Sequence, residues 1–186
     1  MDHVDNDTLE AGVPEVRDAP KDDGRVELIV RRPAVDEREV LDTAELVEGE
    51  GLAGDTWRER GSRRTPDGLA NPAAQVTVMN ARAAALIAGG KERWPLAGDQ
   101  LYVDLDLSLE NLPPGSRLEL GSALLEVSAE PHTGCAKFNA RYGEAALRFV
   151  NSPVGRELNL RGINTRVITG GIVRTGDAIR KVAPSP

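Results

Sequence analysis

The most constraining feature of this chain is a series of short segments that alternate apolar and polar residues between turns rich in Gly, Pro and Asp. In residues 101–109, Leu or Val occupies every odd position, while Tyr102, Asp104, Asp106 and Ser108 would face the other way. A period of two is typical of β-strands. Many short strands at regular spacing favour a closed β-barrel over a sandwich covered by helices. The sequence therefore predicts a mainly β fold, a closed barrel with a few short helices.

Six further segments are predicted as strands, and two as helices. In the first strand, Val26, Leu28 and Val30 should share one face, because side chains alternate along a strand. Residues 36–47 fit a helix and a strand equally well. A first helix should follow the cap residue Asn80, and a second should bury one apolar stripe. The strands are 25–31, 75–79, 117–120, 123–127, 163–169 and 178–182; the helices are 81–88 and 139–150, the latter with Tyr142, Ala145, Ala146 and Phe149 inward.

The N-terminal segment differs from the rest in charge. Residues 1–24 contain eight acidic and two basic side chains, and they account for most of the net charge of −7. Few large apolar groups and two prolines accompany this charge, a composition typical of disorder. We therefore predict an acidic, disordered tail over 1–24, one barrel domain over 25–182 and a short C-terminal tail over 183–186.

Composition excludes several classes of function. The single cysteine, Cys135, excludes an intramolecular disulfide and a multi-cysteine metal site, and a count of two histidines does not favour a His-rich zinc centre. The nearly neutral body has six aromatic residues and no basic footprint for duplex nucleic acid. No apolar run reaches the length of a membrane span, and no secretory leader pattern is present. We expect a cytoplasmic protein with no nucleic-acid or membrane partner.

The loop around Cys135 holds most of the chemistry. Residues 130–141 contain the only thiol, His132, and the bases Lys137 and Arg141. Positive charge and a helix N-terminus favour the thiolate, which is the nucleophilic form, and Gly134 suggests an accessible loop. Two alternatives stay open: Cys135 as a small buried apolar residue, and His132 as a hydrogen-bonding loop residue. A cysteine-hydrolase triad is not favoured, because its base usually comes from a distant part of the chain.

A second cationic segment lies in the polar loop 56–72. Its arginines, Arg58, Arg60, Arg63 and Arg64, could bind an anion, since guanidinium groups match phosphate in a bidentate manner. A solvated charged loop explains them equally well. The Gly-Asp pairs at 54–55, 98–99 and 176–177 suit turns, and no phosphate-binding glycine motif is present.

Several short motifs follow one another between residues 24 and 182: Gly51-Leu-Ala-Gly-Asp55, Gln75-Val-Thr-Val78, Gly98-Asp-Gln-Leu101, Leu118-Glu-Leu-Gly121, Leu125-Glu-Val127, the Cys135 loop, and Gly170-Gly-Ile-Val-Arg-Thr-Gly-Asp177. Each is weak alone, but their order and spacing resemble the MOSC family, named for the C-terminal domain of molybdenum-cofactor sulfurases. The chain departs from the common family pattern at three positions. It has Trp57 for a histidine, Asp99 for a glutamate, and His132 for an arginine near the cysteine.

The resemblance implies a β-barrel and a sulfur-carrying cysteine. In this family the cysteine is proposed to take sulfur as a persulfide from a pyridoxal-phosphate-dependent cysteine desulfurase and to pass it to a metal centre, notably the molybdenum cofactor. Pyridoxal phosphate is thus expected on a separate partner, and a molybdenum or metal–sulfur enzyme is the expected acceptor. The implied sulfur carrier and metal ligand is Cys135, and the predicted cofactor-binding residues are Arg63, Arg64, His132, Thr133, Lys137 and Arg141.

Two other functions stay open on the same fold. The barrel could bind a molybdenum cofactor or another oxyanion without sulfur transfer. Less favoured is a molybdenum-dependent reductase of N-hydroxylated compounds, because such relatives usually carry an additional N-terminal β-barrel region. The sequence leaves the sulfur donor and acceptor, the physiological substrate and the oligomeric state undecided.

Overall fold

The computed structural model describes residues 3–182 and contains a closed barrel of seven strands. The strands are β1 (Gly24–Arg31), β5 (Val76–Asn80), β6 (Leu101–Asp104), β7 (Arg117–Leu120), β8 (Ala123–Val127), β9 (Ile163–Thr169) and β11 (Ala178–Val182). Around the barrel they follow the order β1-β6-β5-β9-β8-β7-β11, and β11 pairs with β1 to close the ring. The pair β5–β6 is parallel and the other pairs of the ring are antiparallel.

The remaining elements lie outside this ring. Strand β2 (Glu39–Leu41) adds to β1, and β3 (Thr43–Val47), β4 (Gly51–Leu52) and β10 (Gly171–Arg174) form a separate three-stranded sheet. Two 3₁₀ segments span Pro72–Ala74 and Lys91–Ala97. The helices are α1 (Asn6–Ala11), α2 (Val13–Arg17), α3 (Trp57–Arg60), α4 (Ala81–Ala88), α5 (Ala136–Asn151) and α6 (Pro153–Glu157). The expected class, a mainly β closed barrel with a few short helices, is confirmed.

Two apolar clusters hold the fold together. One fills the barrel with Leu and Val side chains such as Leu101, Val103 and Leu125, all fully buried. The other packs helices α4 and α5 against the outer face of β1 and β6 through residues such as Phe138 and Tyr142. Burial of this apolar surface is the main source of stability, and it places the start of α5 beside one end of the barrel.

The expectation of a disordered N-terminal tail is wrong for the residues the structure describes. Residues 6–17 form α1 and α2, and Asp5 caps α1 by accepting a hydrogen bond from the backbone of Thr8. Leu9 and Val16 are buried in the helical cluster. The composition of the segment does not predict this order, because its few apolar residues pack on a surface that α4 and α5 supply.

The predicted facing of β1 is also wrong. Val26 and Ile29 point into the barrel, whereas Leu28 and Val30 join the helical cluster on the outside. The register between β1 and β6 shifts between Val26 and Leu28, and a bulge of this kind reverses the alternation. Both faces of the strand are buried, so its apolar pattern does not reveal the bulge.

Two element boundaries differ from the sequence pattern. Strand β6 ends at Asp104, because the backbone N–H of Asp106 bonds to Pro20 of the N-terminal segment instead of continuing the strand; Leu109 at the end of the alternation is half exposed. Helix α5 starts at Ala136, earlier than predicted, and bends at Gly143, whose φ is 85°. Its predicted buried stripe holds at Tyr142, Ala146 and Phe149.

The other local predictions agree with the structure. The side chain of Asn80 caps α4 by accepting from the backbone of Arg82 and Ala83. Residues 36–47, left open by the sequence, form β2 and β3. The loop 56–72 contains only the short helix α3. Within residues 3–182, no helix is both long enough and apolar enough to span a membrane.

Candidate active site

A cavity of about 530 Å³ lies at one end of the barrel, where distant segments of the chain meet. Its walls come mainly from the segment after β1, from the loop that contains α3, from the loop that leads into α5, and from residues at the start of β9. Seven basic side chains line it against three acidic ones. The basic side chains are Arg32, Arg38, Arg60, Arg64, Lys137, Arg141 and Arg161, and the acidic ones are Asp36, Glu59 and Glu130.

The structure brings six of the seven predicted site residues together. Arg64, His132, Thr133, Cys135, Lys137 and Arg141 all line this cavity. Arg63 does not; it lines a separate surface depression formed by residues 60–63 and 65–68.

Cys135 is exposed at the mouth of the cavity. It occupies the cap position before α5 in an extended conformation, with φ −128° and ψ 178°. Its loop is held by Asn151, whose side-chain amide bonds to both the N–H and the carbonyl oxygen of Gly134. The alternative of a small buried apolar residue therefore fails, and the thiol is open to reagents.

The predicted basic neighbours of the thiol are partly neutralised. Lys137 Nζ and Arg141 Nη2 both lie near Asp36 Oδ1, at 3.4 and 3.1 Å. Arg64 pairs with Glu130 at 2.6 Å and donates to the carbonyl oxygen of Pro131. These arginine and lysine side chains shape the rim of the cavity, and their carboxylate partners leave less net charge than the sequence implied.

Sequence reasoning missed the deepest cation of the site, Arg32. Its guanidinium is buried and forms a bidentate pair with Asp55, with Nε–Oδ2 2.8 Å and Nη2–Oδ1 2.7 Å. The third nitrogen donates to the carbonyl oxygen of Gly98. Asp55 also accepts from the backbone N–H of Arg32 and of Trp57. A buried pair with this number of hydrogen bonds fixes the wall of the cavity in one position.

Two further arginines lack an acidic partner. Arg38 donates to the carbonyl oxygens of Pro95 and Glu37, and neither Arg38 nor Arg60 forms an ion pair with a carboxylate of the described chain. The pKa of Arg38 is lowered, first by partial loss of hydration and then by the positive charges of Arg141 and Arg32. The pKa of Arg60 is lowered in the same way, first by partial loss of hydration and then by Arg32. Mutual repulsion of arginines around a cavity is relieved by a bound anion. Arg60 belongs to the cationic loop seen in the sequence, whereas Arg38 had no recognisable signal.

Arg161 and His132 form the back of the site with Asp99. Arg161 donates to Asp99 and to the carbonyl oxygen of Ala97. His132 Nδ1 lies 3.5 Å from Asp99 Oδ1. Burial and then Arg161 lower the pKa of His132 to about 3, although Asp99 opposes the shift. His132 is therefore neutral at neutral pH and does not supply the positive charge that the sequence suggested.

The described residues 3–182 contain no group of three His, Cys, Asp or Glu side chains arranged to hold a metal ion. Any metal bound at Cys135 would need ligands from a cofactor or from solvent.

Comparison with known families places this cavity in context. The sequence profile of the MOSC domain matches residues 55–180, about two thirds of the chain. The chain belongs to the MOSC domain family. The match includes the cavity residues from Thr56 to Asn164, whereas the N-terminal helices, β1 and the cavity residues from Arg32 to Arg38 precede it. No curated protein matches the chain significantly.

Solved structures share the fold of this MOSC protein at low sequence identity. YuaD from Bacillus subtilis superposes with a TM-score of 0.65 and 18% identity, over 87% of this chain and 97% of that one. YiiM from Escherichia coli gives a TM-score of 0.57 and 21% identity, over 87% and 71% of the two chains. YiiM from Geobacillus stearothermophilus gives 0.57 and 12%, over 86% and 75%. At these identities the likeness establishes the fold only.

Proposed function

We propose that this MOSC protein carries sulfur as a persulfide on Cys135 and delivers it to a molybdenum cofactor or a related metal–sulfur centre. The observation that carries the proposal is the exposed thiol of Cys135 at the mouth of a cavity lined mainly by bases. Exposure lets a donor protein reach the sulfur, and the adjacent cavity offers an anionic acceptor a binding site. The proposed donor is a cysteine desulfurase, which supplies the pyridoxal phosphate.

The loading step is a simple sulfur exchange. The Cys135 thiolate attacks the terminal sulfur of a persulfide on the desulfurase, forming a new S–S bond as the S–S bond of the donor breaks. The donor leaves as its thiolate, and Cys135 becomes a persulfide, so no external oxidant or reductant is needed.

The cavity residues fit a pterin-type molybdenum cofactor in two respects. Arg38 and Arg60, which lack acidic partners, would hold its phosphate, and the Cys135 thiolate would be available to its metal. When bound, such a group would supply redox chemistry that the side chains lack. The chain itself would bind the phosphate and position the sulfur on Cys135.

The proposal is tested by intact-mass measurement of the native protein after incubation with a cysteine desulfurase, pyridoxal phosphate and cysteine. We expect a gain of one sulfur atom that a reducing agent removes. Cys135→Ser should show no gain and should fold normally, because the side chain is exposed. An unchanged mass for a protein whose thiol reacts with a maleimide would contradict sulfur carriage.

A second candidate function is cofactor or oxyanion binding without sulfur transfer. It is favoured by the two arginines that have no carboxylate partner, since a site built for an anion leaves such charges unpaired. Titration calorimetry with inorganic phosphate and with molybdate at constant ionic strength tests it. Arg38→Gln or Arg60→Gln should weaken binding by about tenfold, the value of one charge-assisted hydrogen bond, whereas Arg63→Gln, outside the cavity, should not. Binding that survives in Cys135→Ser without sulfur uptake by the native protein would favour this candidate.

A further inference from the structure

A buried polar group lies behind the cavity and is incompletely hydrogen-bonded. Asp99 is fully buried, the Arg161 side chain is 8% exposed, and His132 faces them at 3.5 Å. Five buried side-chain nitrogen or oxygen atoms of residues 3–182 lack a hydrogen-bond partner, and three of them lie here. They are Asp99 Oδ1, His132 Nδ1 and Arg161 Nε.

The arrangement selects one tautomer of His132. As the carboxylate partner of the Arg161 guanidinium, Asp99 has no proton to donate, so Oδ1 acts toward His132 as a hydrogen-bond acceptor. A lone pair on Nδ1 would face this buried carboxylate with repulsion, whereas an Nδ1–H group can donate to it after a small approach. The neutral ring then carries its proton on Nδ1 and a lone pair on Nε2.

The free edge of the ring is accessible. Nδ1 is buried without a partner, whereas Nε2 is not among the buried partnerless atoms of residues 3–182 and forms no hydrogen bond with them. Its edge of the ring therefore contributes to the 17% of the His132 side chain that is exposed. His132 lines the Cys135 cavity and also a neighbouring cavity of about 390 Å³, which does not include Cys135. The charged groups that act on the ring are Arg161, Asp99, Arg32 and Arg64; burial and the three arginines keep it neutral, and Asp99 opposes them.

We propose that Asp99 is a positioning residue that fixes His132 as the Nδ1–H tautomer, so that Nε2 is an uncharged hydrogen-bond acceptor in the Cys135 cavity. The seven basic side chains of the cavity can only donate. An uncharged acceptor among them does not repel an anion as the carboxylates of Asp36, Glu59 and Glu130 do. It therefore favours a ligand that combines an anionic group with a neutral N–H or O–H donor over a simple oxyanion. A ligand that fails to donate leaves Nε2 unpaired, which lowers affinity. The inference rests on the proposed function for the nature of the ligand only.

The tautomer can be measured directly, because the chain has only two histidines. A long-range ¹H–¹⁵N correlation spectrum of the labelled protein at neutral pH distinguishes the three states of imidazole, and His132→Gln assigns the signals by loss. We expect protonated Nδ1 and unprotonated Nε2. An Nε2–H tautomer or an imidazolium would overturn the inference, and this measurement on the native chain needs no variant to fold.

The positioning role is tested in the same spectrum with Asp99→Asn. An amide can donate to Nδ1 or accept from it, so we expect the single tautomer to be replaced by a mixture or by Nε2–H. An unchanged tautomer in a folded Asp99→Asn protein would show that Asp99 does not position the ring.

Accessibility of Nε2 is tested with diethyl pyrocarbonate, which modifies unprotonated imidazole nitrogens. Between pH 7 and about pH 5 the modification of N-acetylhistidine should slow by about 20-fold as the ring is protonated. Modification of His132, located by peptide mapping, should change little. A rate that follows N-acetylhistidine, or no modification at either pH, would contradict an accessible neutral acceptor.

The location of Nε2 is tested by first blocking Cys135 with N-ethylmaleimide. Because Cys135 lines only the cationic cavity of the two, the adduct should slow modification of His132. Unaffected modification would place Nε2 on the neighbouring cavity and overturn the assignment. Sulfur uptake by Cys135 is measured separately, so failure of the sulfur-carrier proposal and failure of this inference give different results.

Discussion

At the scale of single residues, partners decide what each charged group can do. Arg32 is saturated by Asp55 and Gly98 and therefore acts as part of the cavity wall. Arg38 and Arg60 have no carboxylate of their own within the described chain and retain their capacity for an anion. His132 is held neutral by burial and by Arg161. Residues of similar chemistry thus divide into structural and ligand-binding roles according to their neighbours.

The neutral state of His132 predicts a pH-dependent stability. Its pKa falls from 6.5 to about 3 in the folded protein. At pH values between these two, the His132 imidazole is protonated in the unfolded chain but not in the folded one. Stability should therefore be complete above pH 6.5 and decrease as the pH falls. By pH 5 the loss should be about 2 kcal/mol larger than in His132→Gln. Urea unfolding of both proteins at pH 7 and about pH 5 measures the difference, and parallel losses would contradict it.

At the scale of elements, the N-terminal helices belong to the folded body. Besides burying Leu9, the segment bonds to distant elements: Glu15 accepts from Arg82 of α4, and Arg17 pairs with Glu157 of α6. His3 lies against the bend of α5, where a side chain on Gly143 would approach it to 2.6 Å. The segment therefore braces the helix whose first turn follows Cys135.

Leu9→Ala tests whether the packing of the N-terminal helices contributes to stability. Leu9 is fully buried, so the substitution should lower the free energy of unfolding by about 2–5 kcal/mol through lost transfer energy and a cavity. Leu69→Ala is the matched control, because Leu69 is 66% exposed in a loop, and it should change stability by less than about 0.5 kcal/mol. Equal, small effects in denaturant unfolding would mean that the segment is not packed in solution.

At the scale of the whole molecule, closing the barrel creates the site. The ring of seven strands brings the end of β1, the α3 loop, the start of α5 and the start of β9 to one rim, although they are far apart in sequence. Buried ion pairs join these segments. Arg32 follows β1 and pairs with Asp55, which precedes α3; Arg161 precedes β9 and pairs with Asp99, which precedes β6. The shape of the cavity depends on these two ion pairs, because its walls come from several separate elements.

Asp55→Ala should measure how much the Arg32–Asp55 ion pair contributes to the free energy of unfolding. Removing the carboxylate leaves the buried Arg32 guanidinium without its charge partner and should cost about 3–5 kcal/mol. Glu50→Ala breaks the exposed Arg58–Glu50 pair instead and should cost less than about 1 kcal/mol. Calorimetric unfolding compares the two, and a small loss for Asp55→Ala would show that the pair does not hold the wall.

The sequence by itself determined the fold class, most strands and the segment that carries the thiol. These follow from local chemistry: alternation along residues 101–104, the cap at Asn80, and the turn at Thr175–Asp177 are properties of neighbouring residues. Six of the seven predicted site residues also line the cavity, because most of them lie in the single segment 130–141, which forms a loop and the start of α5.

Only the tertiary structure decided the packing of the N-terminal segment, the bulge in β1 and the identity of the deep cations. Each depends on partners that are distant along the chain. Leu9 needs a surface supplied by other helices, and the bulge is set by pairing with β6. Arg32 becomes a wall residue only beside Asp55, and the pKa of His132 is lowered only in a buried position beside Arg161. Burial and charge pairing are properties of the folded environment, so a local pattern cannot specify them.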